Sequence, residues 1–157
     1  MSSYSRAAGR LLGLDYGEVR IGLAISDFER RIASPIGVYH RRSTHEDADY
    51  FRRLVHEKNV AAIVVGLPRQ TSGEEGYAAE AARQFGQWLE GVTGLRVIYW
   101  DERFTTQQAE RLIREAGLSA KARKQKLDTV SAQILLQAYL DAGCPAPPVS
   151  DSAASQG

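Results

Sequence analysis

Two short apolar runs open the chain. Residues 10 to 15, RLLGLD, and 19 to 26, VRIGLAIS, are separated by a Tyr-Gly turn and predict a β-hairpin. A third strand is expected over 32 to 40, IASPIGVYH, with Pro35 favouring a sheet edge or an irregular start. Ser43 and Glu46 then stand three apart ahead of Ala48, Phe51, Leu54 and Val55, a capping box followed by a helical apolar stripe. Residues 60 to 66, VAAIVVG, are continuously apolar and β-branched, as in a strand covered on both faces. After the polar loop LPRQTSGEEG, a helix is expected from the stripe Ala78, Ala81, Phe85, Trp88 and Leu89.

Residues 95 to 100, LRVIYW, predict a fifth strand. Thr105 and Gln108 form a second capping box and open a helix to about Gly117. The last helix is expected near Leu127, with Leu127, Val130, Ile134 and Ala138 on one side. Antiparallel strands followed by alternating units predict an α/β mixed sheet with helices on both faces. The strands ending at Asp15, Gly66 and Trp100 would then finish on one edge, where open α/β sheets collect ligands. Residues 10–143 read as a single domain, with 1–9 a flexible start and 144–157 a disordered tail.

Composition narrows the chemistry. The 157 residues are 43% hydrophobic and 25% charged, enough for one domain with a core. A net charge of +1 means that any nucleic-acid partner must be held by a local patch. The one cysteine, Cys144, rules out an internal disulfide framework and fits a reducing compartment. No signal-peptide core or membrane-length apolar run is visible, so a soluble cytoplasmic protein with no membrane partner is the expectation. His40, His45 and His56 lack zinc-site spacings. Chemistry falls to carboxylates and basic groups.

Asp15 closes the first strand, where an Asp often bonds nearby turn amides and nothing more. Asp101 and Glu102 end the fifth strand, and alternation directs only one of them toward Asp15. Which one is left open by the sequence. Asp128 is expected in the first turn of the last helix, where an acid favours the N-terminus. It also aligns with Ala132, Leu135 and Tyr139 at spacings of four, seven and eleven, a semi-buried face on which an acid needs a cation or a donor. Three carboxylates converging without His or Cys would make a hard oxygen site suited to Mg²⁺ or Mn²⁺. Two such ions about 4 Å apart can activate water and stabilise the leaving oxygen of a phosphodiester.

The substrate signal is KARKQK. Lys121, Arg123, Lys124 and Lys126 read as a mobile basic loop that could hold a phosphate backbone beside the acids. Arg20 and Arg69 could extend that track, and Thr71, Ser72 and Gly73 offer donors to a phosphate, although a plain turn explains them as well.

Four blocks, LDYGEVRIGLAISD, IVVGLP with its SG loop, DERFTT and KLDTVSAQILLQAYL, stand in one order between Leu11 and Leu140. Together they resemble the YqgF/RuvX-type Holliday-junction-resolvase-like family, described as pre-16S rRNA nucleases, within the RNase H-like superfamily. The resemblance implies a five-stranded sheet of order 3-2-1-4-5. It implies metal-dependent cleavage of structured nucleic acid, RNA precursor or branched DNA, with Asp15, Glu102 and Asp128 as catalytic metal ligands. Arg103 and the basic loop become substrate contacts. Many superfamily relatives place an acid at the end of the fourth strand, where this chain has Gly66-Leu67-Pro68.

Two other functions remain in view. A sugar kinase or actin-like ATPase opens on a similar acid-aromatic-glycine hairpin, but closes two domains over its nucleotide. A non-cleaving RNase H-like binding module would share every basic residue with a nuclease. A twofold homodimer is expected only if the substrate is a DNA junction cut on opposite strands.

Overall fold

The computed structural model describes residues 9–68, 76–101 and 120–145, without the side chains of 120–126 and 128. β1 (Arg10–Asp15) and β2 (Arg20–Ser26) form the expected antiparallel hairpin, with Asp15 opposite Gly22. β3 (Ala33–His40) lies antiparallel to β2 at the sheet edge. Its register slips where Ala24 meets Pro35, consistent with a residue that has no backbone N–H to give to a ladder. β4 (Val60–Leu67) and β5 (Arg96–Asp101) follow, parallel to β1 and to each other. The order is β3-β2-β1-β4-β5, as the family resemblance implies.

α1 (Thr44–Glu57) starts at the capping box read from the sequence: Ser43 accepts from the Glu46 N–H, and the Glu46 carboxylate accepts from the Ser43 N–H. α2 (Tyr77–Thr93) buries Ala79, Ala82, Phe85, Gly86 and Leu89. Ala78 is exposed, so the expected stripe is displaced by one residue at its start. Adjacent alanines blur the helical period, and Gly86 belongs to the buried face because a Cβ there would overlap the Tyr99 ring. One core joins α1 and α2 to Leu12, Leu14, Ile21, Leu23, Ile63, Val65 and Leu67.

The last helix, α3 (Ala120–Asp141), covers the other face and packs on Leu11, Ala24, Val64 and Ile98 through Ala132, Leu136, Tyr139 and Leu140. β4 is therefore covered on both sides, and Ile63, Val64 and Val65 are wholly buried. Two glutamines pin α3 to the start of β3: Gln137 accepts from the Ala33 N–H at 2.8 Å, and Gln133 donates to the Ala33 carbonyl at 3.2 Å. At Gly13 the helix comes so close that an added Cβ would lie 2.8 Å from the Leu136 Cβ.

α3 corrects one expectation and bears out another. It already includes Ala120, ahead of Leu127, so KARKQK is helical backbone and not a loop. Ala, Lys, Arg and Gln are all strong helix formers, and the density of charge hid that propensity. The sheet-facing side is also the one aligned with Asp128, while Leu127, Val130 and Ile134 make a small separate cluster. The helix expected from Thr105 to Gly117 and the two terminal segments 1–8 and 146–157 lie outside the described residues. No helix among the described residues is long and apolar enough to cross a membrane.

Candidate active site at the carboxyl edge of the sheet

Asp15 is the last residue of the central strand, and its surroundings follow from the pleat. Side chains alternate along a strand, and register partners on neighbouring strands point to the same face. Leu12 and Leu14 belong to the α1/α2 core and Leu11 to the α3 core, so Asp15 is on the α3 face. Its partner on β2 is Gly22. Leu14 is level with Val65, so one step further places Gly66 beside Asp15 on β4. The half-buried Asp15 therefore has a glycine as its register neighbour on each side.

The same alternation separates the two acids of β5. Trp100 is level with Gly66 and packs with the α3 core, its ring 5.3 Å from that of Tyr139. Asp101 is level with Leu67, which belongs to the α1/α2 core, so Asp101 is on the face away from Asp15. Arg20, two residues beyond Gly22 on β2, shares the Asp15 face at the same edge. The structure thus brings together Asp15 and Arg20 among the residues singled out by sequence.

Asp128 lies on α3 on the line continued by Ala132, Leu135 and Tyr139, all buried. The earlier helix start puts it in the third turn rather than the first. The dipole explanation for an acid at this position is thereby lost, since that effect fades within the first turn. Lys121, Arg123, Lys124 and Lys126 occupy the first two turns, and the opening turn contains no acid. Arg69, Glu102 and Arg103 lie outside the described residues.

An oxygen-only divalent ion suits Asp15 on the chemistry of its carboxylate. Among the described residues no three His, Cys, Asp or Glu side chains form a cluster able to hold a metal.

Behind the edge, on the α1/α2 face, is a network the sequence reading missed. Asp47, with a side chain only 1% exposed, accepts hydrogen bonds from the Tyr39 hydroxyl at 2.6 Å, the Arg42 N–H at 2.9 Å and the Arg41 Nε at 3.4 Å. Burial pushes the Asp47 carboxyl up, but the donors from Tyr39, Arg42 and Arg41 outweigh it and hold the pKa below the usual carboxylate range. Burial, and then donation to Asp47, raise the Tyr39 phenol to about 12. A signal is present in the sequence: Asp47 precedes Phe51 by four and Leu54 by seven, which places an acid on the apolar stripe.

Comparison with known proteins agrees with this architecture. Residues 9–142 match the RuvX family, described as Holliday junction resolvase. A protein of Rhodopirellula baltica named "Putative pre-16S rRNA nuclease" is 43% identical over 136 residues, 87% of this chain and 79% of that one. A protein of the same name in Koribacter versatilis is 40% identical over 141 residues, covering 90% of this chain and 92% of the relative. Among solved structures, Thermus thermophilus RuvC in complex with a Holliday junction substrate aligns with a TM-score of 0.55 at 17% identity, over 89% of this chain and 99% of that one. The fowlpox virus resolvase, solved with Holliday junction DNA, gives 0.53 at 13% identity over 87% and 99%. The two structures establish the RNase H-like fold of the resolvases, and the family match with these relatives establishes that the chain belongs to the RuvX family of Holliday junction resolvases.

Proposed function

We propose that the chain is a divalent-metal-dependent endonuclease that hydrolyses phosphodiester bonds in structured nucleic acid. Pre-16S rRNA and the Holliday junction are the two substrates that its relatives' names and the family description supply. The observation that carries the reading is Asp15, the last residue of the central strand, on the α3 face at the carboxyl edge with Gly22 and Gly66 as its register neighbours.

In this reading Asp15, Glu102 and Asp128 hold Mg²⁺ or Mn²⁺. Glu102 is favoured over Asp101 because Asp101 is on the wrong face of β5. Bound divalent ions would supply the charge that activates a water and stabilises the leaving oxygen. Arg20 on the Asp15 face and the basic opening of α3, with Arg69 and Arg103, hold the phosphate backbone across the edge. Hydrolysis would leave a 5′-phosphate and a 3′-hydroxyl. A twofold dimer belongs to this proposal only where a four-way junction is the substrate.

The test is a panel of labelled precursor rRNA and four-way junction DNA, incubated with Mg²⁺, with Mn²⁺ and with chelator. Wild type should cleave one member of the panel only with metal. Asp15→Asn should lose cleavage by at least about a hundredfold, a typical cost of removing a central catalytic group, and still bind substrate. Cleavage persisting in chelator and in Asp15→Asn would refute the mechanism. Equal binding without cutting by either protein would identify a binding module instead.

A further inference from the structure

We propose that Arg41 is a positioning residue for the Asp15 carboxylate, acting through Tyr16. The proposal rests on the reading of Asp15 as a metal ligand. Arg41 is the first residue past β3, and its N–H donates to the Val19 carbonyl at 2.9 Å, which fixes it at the mouth of the β1–β2 turn. Its guanidinium is held from behind by the buried Asp47, with Nε 3.4 Å from Oδ2. In front, Nη1 donates to the Tyr16 hydroxyl at 3.0 Å. The same cation stands 5.5 Å from the centre of the Tyr16 ring and 5.2 Å from that of Phe85.

Tyr16 is thereby gripped at both ends. Its ring packs on Phe85 with centroids 4.8 Å apart, and its hydroxyl meets Arg41. Tyr16 packs against the α1/α2 core while Asp15 is on the α3 face, so the peptide between them carries the aim of the carboxylate through the sheet. The turn closes tightly at Gly17, where any Cβ would collide with the Arg20 carbonyl. A line of polar contacts thus runs from Asp47 on α1, through Arg41 after β3, to the residue bonded to Asp15. Groups that orient a ligand set metal affinity without touching the ion, and their loss typically weakens it about 10–100-fold.

Purely structural stabilisation by Arg41 would give a different result, and Tyr16→Phe separates the two. That variant keeps the ring on Phe85 and removes only the hydroxyl. Mn²⁺ binding to the substrate-free full chain, measured by titration calorimetry, should weaken about tenfold in Arg41→Ala. Tyr16→Phe should weaken it in the same direction, with its urea midpoint unchanged. The Mn²⁺ concentration for half-maximal cleavage should rise by the same factor in each. Arg41→Lys restores charge without the forked donors and should recover only part of the affinity. Wild-type Mn²⁺ affinity in both Arg41→Ala and Tyr16→Phe, whatever their stability, would overturn the proposal. Wild type that binds no Mn²⁺ at all would refute the metal reading itself, and the positioning role with it.

Discussion

Asp47 is the residue on which the edge depends most for stability. Its carboxylate is buried among three donors, one of them a guanidinium, so its removal leaves Arg41 and Tyr39 facing an empty site. Asp47→Ala should cost about 3 kcal/mol, the range for breaking a buried charged hydrogen-bonded group. The pH dependence has a definite sign. The native carboxyl is held below its unfolded value, so its stabilisation is full above about pH 4 and is lost as pH falls through the native pKa. The Tyr39 phenol is shifted the other way: its share is intact below about pH 10 and disappears as pH rises toward about 12. Urea unfolding across pH should show both limbs in wild type, with Asp47→Asn flattening the acid limb and Tyr39→Phe the alkaline one. Limbs unchanged by those substitutions would contradict the assignment. Asp47 was legible only as a helix-start acid, because a capping box and a buried acceptor use the same residue types one position apart.

At the scale of elements, strands were read from the sequence better than helices. The runs 10 to 15 and 60 to 66 lie within a residue of the observed β1 and β4, since a buried strand leaves an unbroken apolar signature. Helix α3 was shortened by seven residues because its opening is charged on every side and offers no apolar period. That error matters to function. A loop of four cations could adapt to any phosphate, whereas helical backbone spaces positions 121, 123, 124 and 126 at about 100° per residue. If these side chains contact the backbone, replacing each by Gln should weaken binding of all substrates alike. Each replacement should also lower the slope of log K against log salt by about 0.7–0.9. Filter binding between low and moderate salt measures this. An unchanged slope in the quadruple variant would remove α3 from the substrate track.

For the molecule as a whole, topology does what no single residue can. Residue 15 on the first strand, residue 102 after the fifth and residue 128 on the last helix are far apart along the chain. The order 3-2-1-4-5 brings β1 and β5 within two strand spacings, about 10 Å, while α3 crosses the face on which Asp15 lies. The fold was legible because four sequence blocks recur in family order. The site was legible only as a list of acids. The place of Asp15 between Gly22 and Gly66 depends on register, and register is a property of strand pairing rather than of either strand alone.

The central claim is that these three carboxylates share a divalent ion site, and anomalous diffraction from crystals grown with Mn²⁺ tests it most directly. The account predicts at least one anomalous peak about 2.0–2.2 Å from oxygens of Asp15, Glu102 and Asp128, absent in crystals of Asp15→Asn. A map without a peak beside Asp15, with the three carboxylates turned away from one another, would contradict it.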